Sequence, residues 1–284
     1  MNRLSIEKRA QIVSLLTEGN SLRATSRIVG CSINTVTKLL TEVGEACANF
    51  HDRTVRELPC TTIEADEIWS FVYSKARNVP EDRKGEFGIG DVWTWTALCA
   101  DTKLIASWYV GGRKADDCEV FLRDLQARLA NRIQVSTDGH QAYTAPVGVV
   151  FRKEIDWAQI HKTYASDPAG TRRYSPAICT GTKIKVRKGN PDPARISTSY
   201  VERQNLTMRM GMRRFTRLTN GFSKKLDNHM AAIAIHFMHY NFARAHKSLS
   251  IPRKGGPAVK QTPAMAAGIA DHVWTAREIA ELAS

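Results

Sequence analysis

Thr61-Thr-Ile-Glu-Ala-Asp66-Glu-Ile-Trp69-Ser-Phe-Val-Tyr73 reads as one extended run, rich in β-branched and aromatic residues and bounded by polar segments. Three carboxylates, Glu64, Asp66 and Glu67, stand inside it. Side chains alternate across a strand, so Glu64 shares a face with Asp66 while Glu67 points away and reads as a salt-bridge partner. A lone acidic residue in such a run would merely end a strand, so its meaning depends on what surrounds it.

Downstream, Asp91 to Ala100 is a second β-run with Trp93, Trp95 and Leu98. Lys103 to Val110 is a third, after the turn at Asp101-Thr102. Residues 74 to 90 are charged and contain glycines, so they read as a long loop. Asp116 to Leu129 carries Val120, Phe121, Leu125 and Leu129 at helical spacing. Ile133 to Ser136 is a fourth β-run, stopping at Thr137-Asp138-Gly139, and Phe151 to Tyr164 is again strand-like.

Three antiparallel strands, a helix and a parallel fourth strand open an RNase H-like fold. In that sheet the first and fourth strands are neighbours, which sets Asp66 beside Asp138. A later helix, capped by Ser197, Thr198 or Ser199, carries Glu202 near its start to close a carboxylate site. Asn205 and Arg209, three and seven residues on, share its face and can contact a phosphate there. His140 reads as structural or as a phosphate neighbour, and Trp69, Trp93, Trp95 and Trp108 as core. The expected fold class is therefore α/β: an RNase H-like mixed-sheet catalytic domain over 61–245, after a small all-α domain.

That first domain, residues 1–50, reads as three helices. Ser5 caps the first, whose apolar face is Ile6, Ile12, Val13, Leu15 and Leu16, and Gly19-Asn20 ends it. Leu22 to Val29 is the second. Gly30-Cys31 turns the chain, and Ser32 caps a third carrying Val36, Leu39, Leu40 and Val43. A short helix, a Gly-containing turn and a polar-fronted helix describe a helix-turn-helix. Ser32, Asn34, Thr35 and Lys38 are its candidate DNA contacts, although a bundle that only holds the domain together would show the same pattern. Residues 51–60 read as a linker.

Lys and Arg total 41 against 28 acidic residues, a net charge of +13, which points to a polyanionic partner. Basic residues gather in a Gly- and Pro-containing insertion near 165–195, read as a loop that orders on phosphates. It includes Arg172, Arg173, Lys183, Lys185, Arg187 and Lys188. Arg203, Arg209, Arg213, Arg214 and Arg217 extend the stripe past Glu202. None of the six cysteines forms a C-x-x-C pair, and their spacing suits neither zinc nor a disulfide framework. With no signal-peptide core and no apolar span, a reducing cytosol is expected and a membrane is not. Leu226 to Phe242 reads as a core helix, and residues 246–284 as an extension wrapping the catalytic domain.

Ala65-Asp66-Glu67-Ile68-Trp69, Thr137-Asp138-Gly139 with Tyr143, and Glu202-Arg203-Gln-Asn205-Leu together resemble the motifs of bacterial insertion-sequence transposases with a DDE triad. The nearest resemblance is to the insertion sequence one family. Gly112-Arg113 and Gly221-Phe222-Ser223-Lys224 extend the likeness across most of 61–245. The resemblance implies that Asp66, Asp138 and Glu202 are catalytic and bind two Mg²⁺ ions, for which Mn²⁺ can substitute. It also implies double-stranded DNA as partner (element ends and target), a homodimer or higher oligomer on DNA, and a place at the bacterial nucleoid. Members of that family often begin with a cysteine-ligated zinc finger, which this chain lacks. The competing readings are a related integrase, a domesticated nuclease, or a helix-turn-helix regulator without catalysis.

Overall fold

A computed structural model of the chain describes residues 3–165, 179–216 and 219–284. At its centre is a six-stranded mixed sheet in the order β3-β2-β1-β4-β5-β6. The strands are β1 (Thr62–Val72), β2 (Gly90–Cys99), β3 (Ile105–Gly111), β4 (Ile133–Asp138), β5 (Ile155–Tyr164) and β6 (Cys179–Lys188). β1 runs antiparallel to β2 and parallel to β4; β5 continues parallel to β4, and β6 returns antiparallel. Ala65 pairs with Thr137, so Asp66 and Asp138 occupy the next rung of neighbouring strands.

Helices cover both faces. Trp95, Ala65 and Ala97 lie with Phe121 of α4 (Ala115–Gln126) and Val147 of α5 (Thr144–Phe151). Ile68, Leu98 and Ile105 lie with Met208 of α6 (Ser199–Gly211) and Phe237 of α7 (Leu226–Met238). The α5 helix is not apparent in the sequence, because Thr-Ala-Pro-Val-Gly-Val-Val-Phe lacks helical periodicity and has Ala145 as its one good former. It survives because Pro146 falls in its first turn, where amide hydrogens lack intrahelical partners, and Val147 and Phe151 are buried.

Of the basic segment expected to be a loop, residues 179–188 form a strand. Lys183, Lys185, Arg187 and Lys188 all lie on β6, hydrogen-bonded to β5; Arg172 and Arg173 fall outside the described residues, as does Arg217. The alternation Lys183-Ile184-Lys185-Val186-Arg187 is the local signal for it. Ile184 and Val186 stay about half exposed, so no buried face reinforces the pattern.

The N-terminal helices are α1 (Ile6–Thr17), α2 (Leu22–Val29) and α3 (Ile33–Thr54). Ser5, Ser21 and Ser32 cap them, and Gly30 closes α2 in the left-handed conformation, φ 67°. The third helix does not stop where its apolar spacing fades but runs to Thr54, through much of the segment read as a linker. His51, Val55 and Leu58 are buried there. Arg128 at the end of α4 clamps this stretch, donating to Asp52, Asp124 and the Val55 carbonyl at 2.7–3.1 Å. Gly44 permits α3 to cross α7 closely, since a Cβ there would meet Ala231 Cα at 2.4 Å.

Strand β3 would be an open edge. Instead Asn241, in a π-turn after α7, donates to the Ile105 carbonyl and accepts from its N–H, while His51 Nε2 also donates to that carbonyl. The C-terminal extension ends in short helices α8 (Pro263–Ala266) and α9 (Ala276–Glu281). It packs on the N-terminal helices as well as the sheet-bearing body: buried Arg9 of α1 donates to the Ala280 carbonyl, and Trp274 rests on Phe50 and Phe242. No helix among the described residues is long and apolar enough to cross a membrane.

Candidate active site

Asp66, Glu67 and Asp138 each offer a carboxylate oxygen within 4.8 Å of the others. The closeness of Asp66 and Asp138 follows from the parallel β1–β4 pairing. Glu67 comes from the opposite face, but β4 ends at Asp138, so beyond this rung no β4 backbone separates the faces beside β1. The anticipated ion pair for Glu67 is present: Arg113 Nη2 lies 2.7 Å from Glu67 Oε1, and Tyr143 Oη donates to Oε2 at 3.4 Å. Arg113 also stacks over Trp93, 4.2 Å from the ring centre.

Three acids this close repel one another, and burial adds to the cost of charge. Burial, then the charge of Asp138, pushes the Asp66 carboxyl up to about 7. Burial, then Asp138 and Asp66, pushes Glu67 up to about 8 despite Arg113. Such a cluster favours a cation.

Glu202 lies in the first turn of α6, half-exposed, and is not within that tight group. Its Oε1 accepts from Lys162 Nζ and, at 2.7 Å, from Thr198 Oγ1. It is still near enough for its charge to raise Asp66 further. Glu64 has a different task. Its Oε2 accepts from the N–H groups of Tyr200 and Val201 at 2.7 and 3.0 Å. It thereby caps α6 from β1, where a Ser or Thr side chain was expected, and its charge suits the helix N-terminus.

Asn205, expected to face a phosphate, is only 5% exposed and turned inward. Its Nδ2 donates to Asp66 Oδ2 at 2.8 Å, while its Oδ1 is buried without a partner. Thr96, which pairs with Asp66 in the β1–β2 register, leaves a second buried oxygen unpartnered. His140 Nε2 donates to the Arg113 carbonyl at 3.3 Å and lies 3.8 Å from Glu67 Oε1, while its ring stacks on Trp95.

The remaining candidates lie elsewhere. Asn34 and Lys38 are exposed on α3, Thr35 is half-buried, and the Ser32 hydroxyl caps the helix. Lys183 and Lys185 are exposed on β6, whereas Arg187 Nε donates to Gln159, whose amide holds the Asp138 and His140 carbonyls. Arg209 is half-buried on α6. Arg203 is exposed on α6 and lines a separate open cleft.

No family model matches the chain, and no curated protein does. Among solved structures it is similar to a Mos1 transposase paired-end complex with left transposon end, at 13% identity and a TM-score of 0.24 over 55% of this chain and 60% of that one. The Mos1 strand transfer complex matches at 13% identity and a TM-score of 0.23, over 55% and 59%. A Mos1 mariner paired end complex with Mn also matches at 13% and 0.23, over 55% and 60%. The likeness thus spans about three-fifths of those proteins' length, and an overlap this loose fixes neither fold nor activity.

Proposed function

We propose that the chain is a DNA transposase, an RNase H-like polynucleotidyl transferase that cleaves and rejoins DNA at the ends of a bacterial insertion sequence. The observation that carries this reading is the meeting of Asp66 and Asp138 on adjacent parallel strands, below the helix that holds Glu202. The strand order β3-β2-β1-β4-β5 supports the RNase H-like assignment. The three-part motif pattern supports a place near the insertion sequence one family.

Asp66, Asp138 and Glu202 are the proposed catalytic triad and metal ligands. The donor set fits Mg²⁺ or Mn²⁺: it offers carboxylate oxygens without thiolate or imidazole, and two orphaned buried oxygens, on Asn205 and Thr96, lie close by. When bound, two such ions supply an activated water and charge stabilisation at the departing oxygen of a phosphodiester. The chain's own residues prepare the site. Asn205 fixes the rotamer of Asp66, Arg113 screens Glu67 from the pair, and Lys162 with Thr198 holds Glu202 at the rim.

The exposed front of α3, with Asn34 and Lys38, is the proposed reader of the terminal repeats, and β6 supplies Lys183 and Lys185 to the backbone. Two element ends must meet for joining, so a dimer on DNA is the expected working form. The test is strand transfer of labelled element-end duplexes in Mg²⁺ by wild type and Asp138→Asn. Wild type should join ends to target, and the variant should bind the same duplex without joining. Binding without any cleavage by the wild type in Mg²⁺ or Mn²⁺ would leave the helix-turn-helix regulator standing instead.

A further inference from the structure

Helix α6 has two working faces. Glu202 and Asn205 look towards the acidic cluster; Tyr200, Arg203, Thr207 and Met210 recur at helical spacing on the other side and line an open cleft. Its remaining walls come from Glu18, the β2–β3 turn at Lys103, and the segment following α7 with Arg244, Lys247 and Lys260. Five cations therefore converge here, and Glu18 is the one carboxylate among the lining residues.

Several cations elsewhere are matched, Arg113 with Glu67, Arg128 with Asp52 and Asp124, and Arg132 with Asp156, while others such as Lys183 and Lys185 stand on an exposed strand rather than around a concavity. None of Lys103, Arg203, Arg244, Lys247 and Lys260 forms an ion pair among the described residues. Lys103 Nζ donates to the Ala100 carbonyl and sits 3.3 Å from the centre of the Tyr200 ring, a cation–π contact, without an ion pair among the described residues. Unpaired like charges around one concavity repel, and they raise the local concentration of polyanions.

We infer that this cleft is a second nucleic-acid track, holding the phosphate backbone of duplex DNA away from the reacting phosphodiester, with α6 as the partition between track and active site. The inference rests on the transposase reading for the identity of the polyanion. One helix then senses both the reacting strand and the flanking duplex.

The test is fluorescence anisotropy of a labelled 30-base-pair duplex of arbitrary sequence, in EDTA, across a series of salt concentrations. It compares the full chain with the triple variant Arg244→Ala, Lys247→Ala, Lys260→Ala. All three residues are exposed, and circular dichroism checks that the fold is kept. Each lost phosphate contact lowers the log–log salt slope by about 0.9, so the slope should become shallower by roughly 2 to 3. An unchanged slope overturns the inference. So does unchanged duplex binding with lost binding of poly-glutamate, which would assign the cleft to an acidic polypeptide. Because this binding assay contains no metal, its outcome is independent of catalysis: a shifted slope here, with no cleavage by the wild type in the separate Mg²⁺ assay, sinks the catalytic reading alone.

Discussion

Asn205 Nδ2 and Asp66 Oδ2, residues 139 positions apart, are joined by a 2.8 Å hydrogen bond, with the opposite end of the same amide buried and unpartnered. A neutral donor fixes the carboxylate without competing for cations as Lys or Arg would.

Asn205→Ala should therefore leave the fold intact but reduce DNA cleavage by roughly tenfold or more, the worth of a hydrogen bond to a charged group. Asn205→Asp should be worse, since it adds a negative charge beside Asp66 and Asp138. Single-turnover cleavage with saturating duplex measures both. Equal activity of all three proteins would deny Asn205 any positioning role.

The Arg113–Glu67 pair yields a stability prediction. Glu67 is buried and Arg113 is partly exposed, so at pH 9, where Glu67 is ionised, removing the arginine strands a carboxylate beside two others. Arg113→Ala should cost about 1–3 kcal/mol, below the value for a fully buried pair because solvent screens Arg113. Adding Glu67→Gln should restore most of the loss, because it deletes the stranded charge. Urea midpoints of the single and double variants decide it; a double variant as weak as Arg113→Ala would place the arginine's contribution in its Trp93 contact.

His229 is fully buried, with Nε2 3.0 Å from Ser70 Oγ and Nδ1 2.9 Å from Ser223 Oγ. Burial, then the nearby Arg214 charge, depresses its pKa to about 3. The fold keeps the ring neutral while the unfolded chain protonates it near 6.5. Its contribution is thus complete above about pH 6.5 and is lost as pH falls towards 3, by about 1.4 kcal/mol per pH unit. The stability gap between wild type and His229→Gln should shrink accordingly between pH 6.5 and 5. Taking the difference cancels the other buried histidines, such as His51 and His236, and the opposite trend of Asp66 and Glu67. A gap independent of pH would show that His229 is not held neutral by the fold.

The run from Thr61 to Tyr73 and the stop at Asp138-Gly139 were legible because alternation and turn residues are local properties of the chain. Local properties also sufficed for the caps at Ser5 and Ser32, for the faces of Glu64 and Glu67 on β1, and for the position of Glu202 near a helix start. They misled over 179–188, where an exposed strand lacks the buried face that makes a pattern plain. They also missed α5, whose residues are poor helix formers held by packing.

By itself, then, the amino-acid sequence determined the succession of strands and the carboxylates they carry, since periodicity and turn chemistry act over a few residues. Only the tertiary structure decided who meets whom. It set Glu64, not a serine, at the head of α6, turned Asn205 onto Asp66, and tied Asp52 to Arg128 where a linker was expected. Periodicity says which side of an element a residue occupies. What covers that side depends on contacts between segments dozens of positions apart, and these are fixed by packing the whole chain at once.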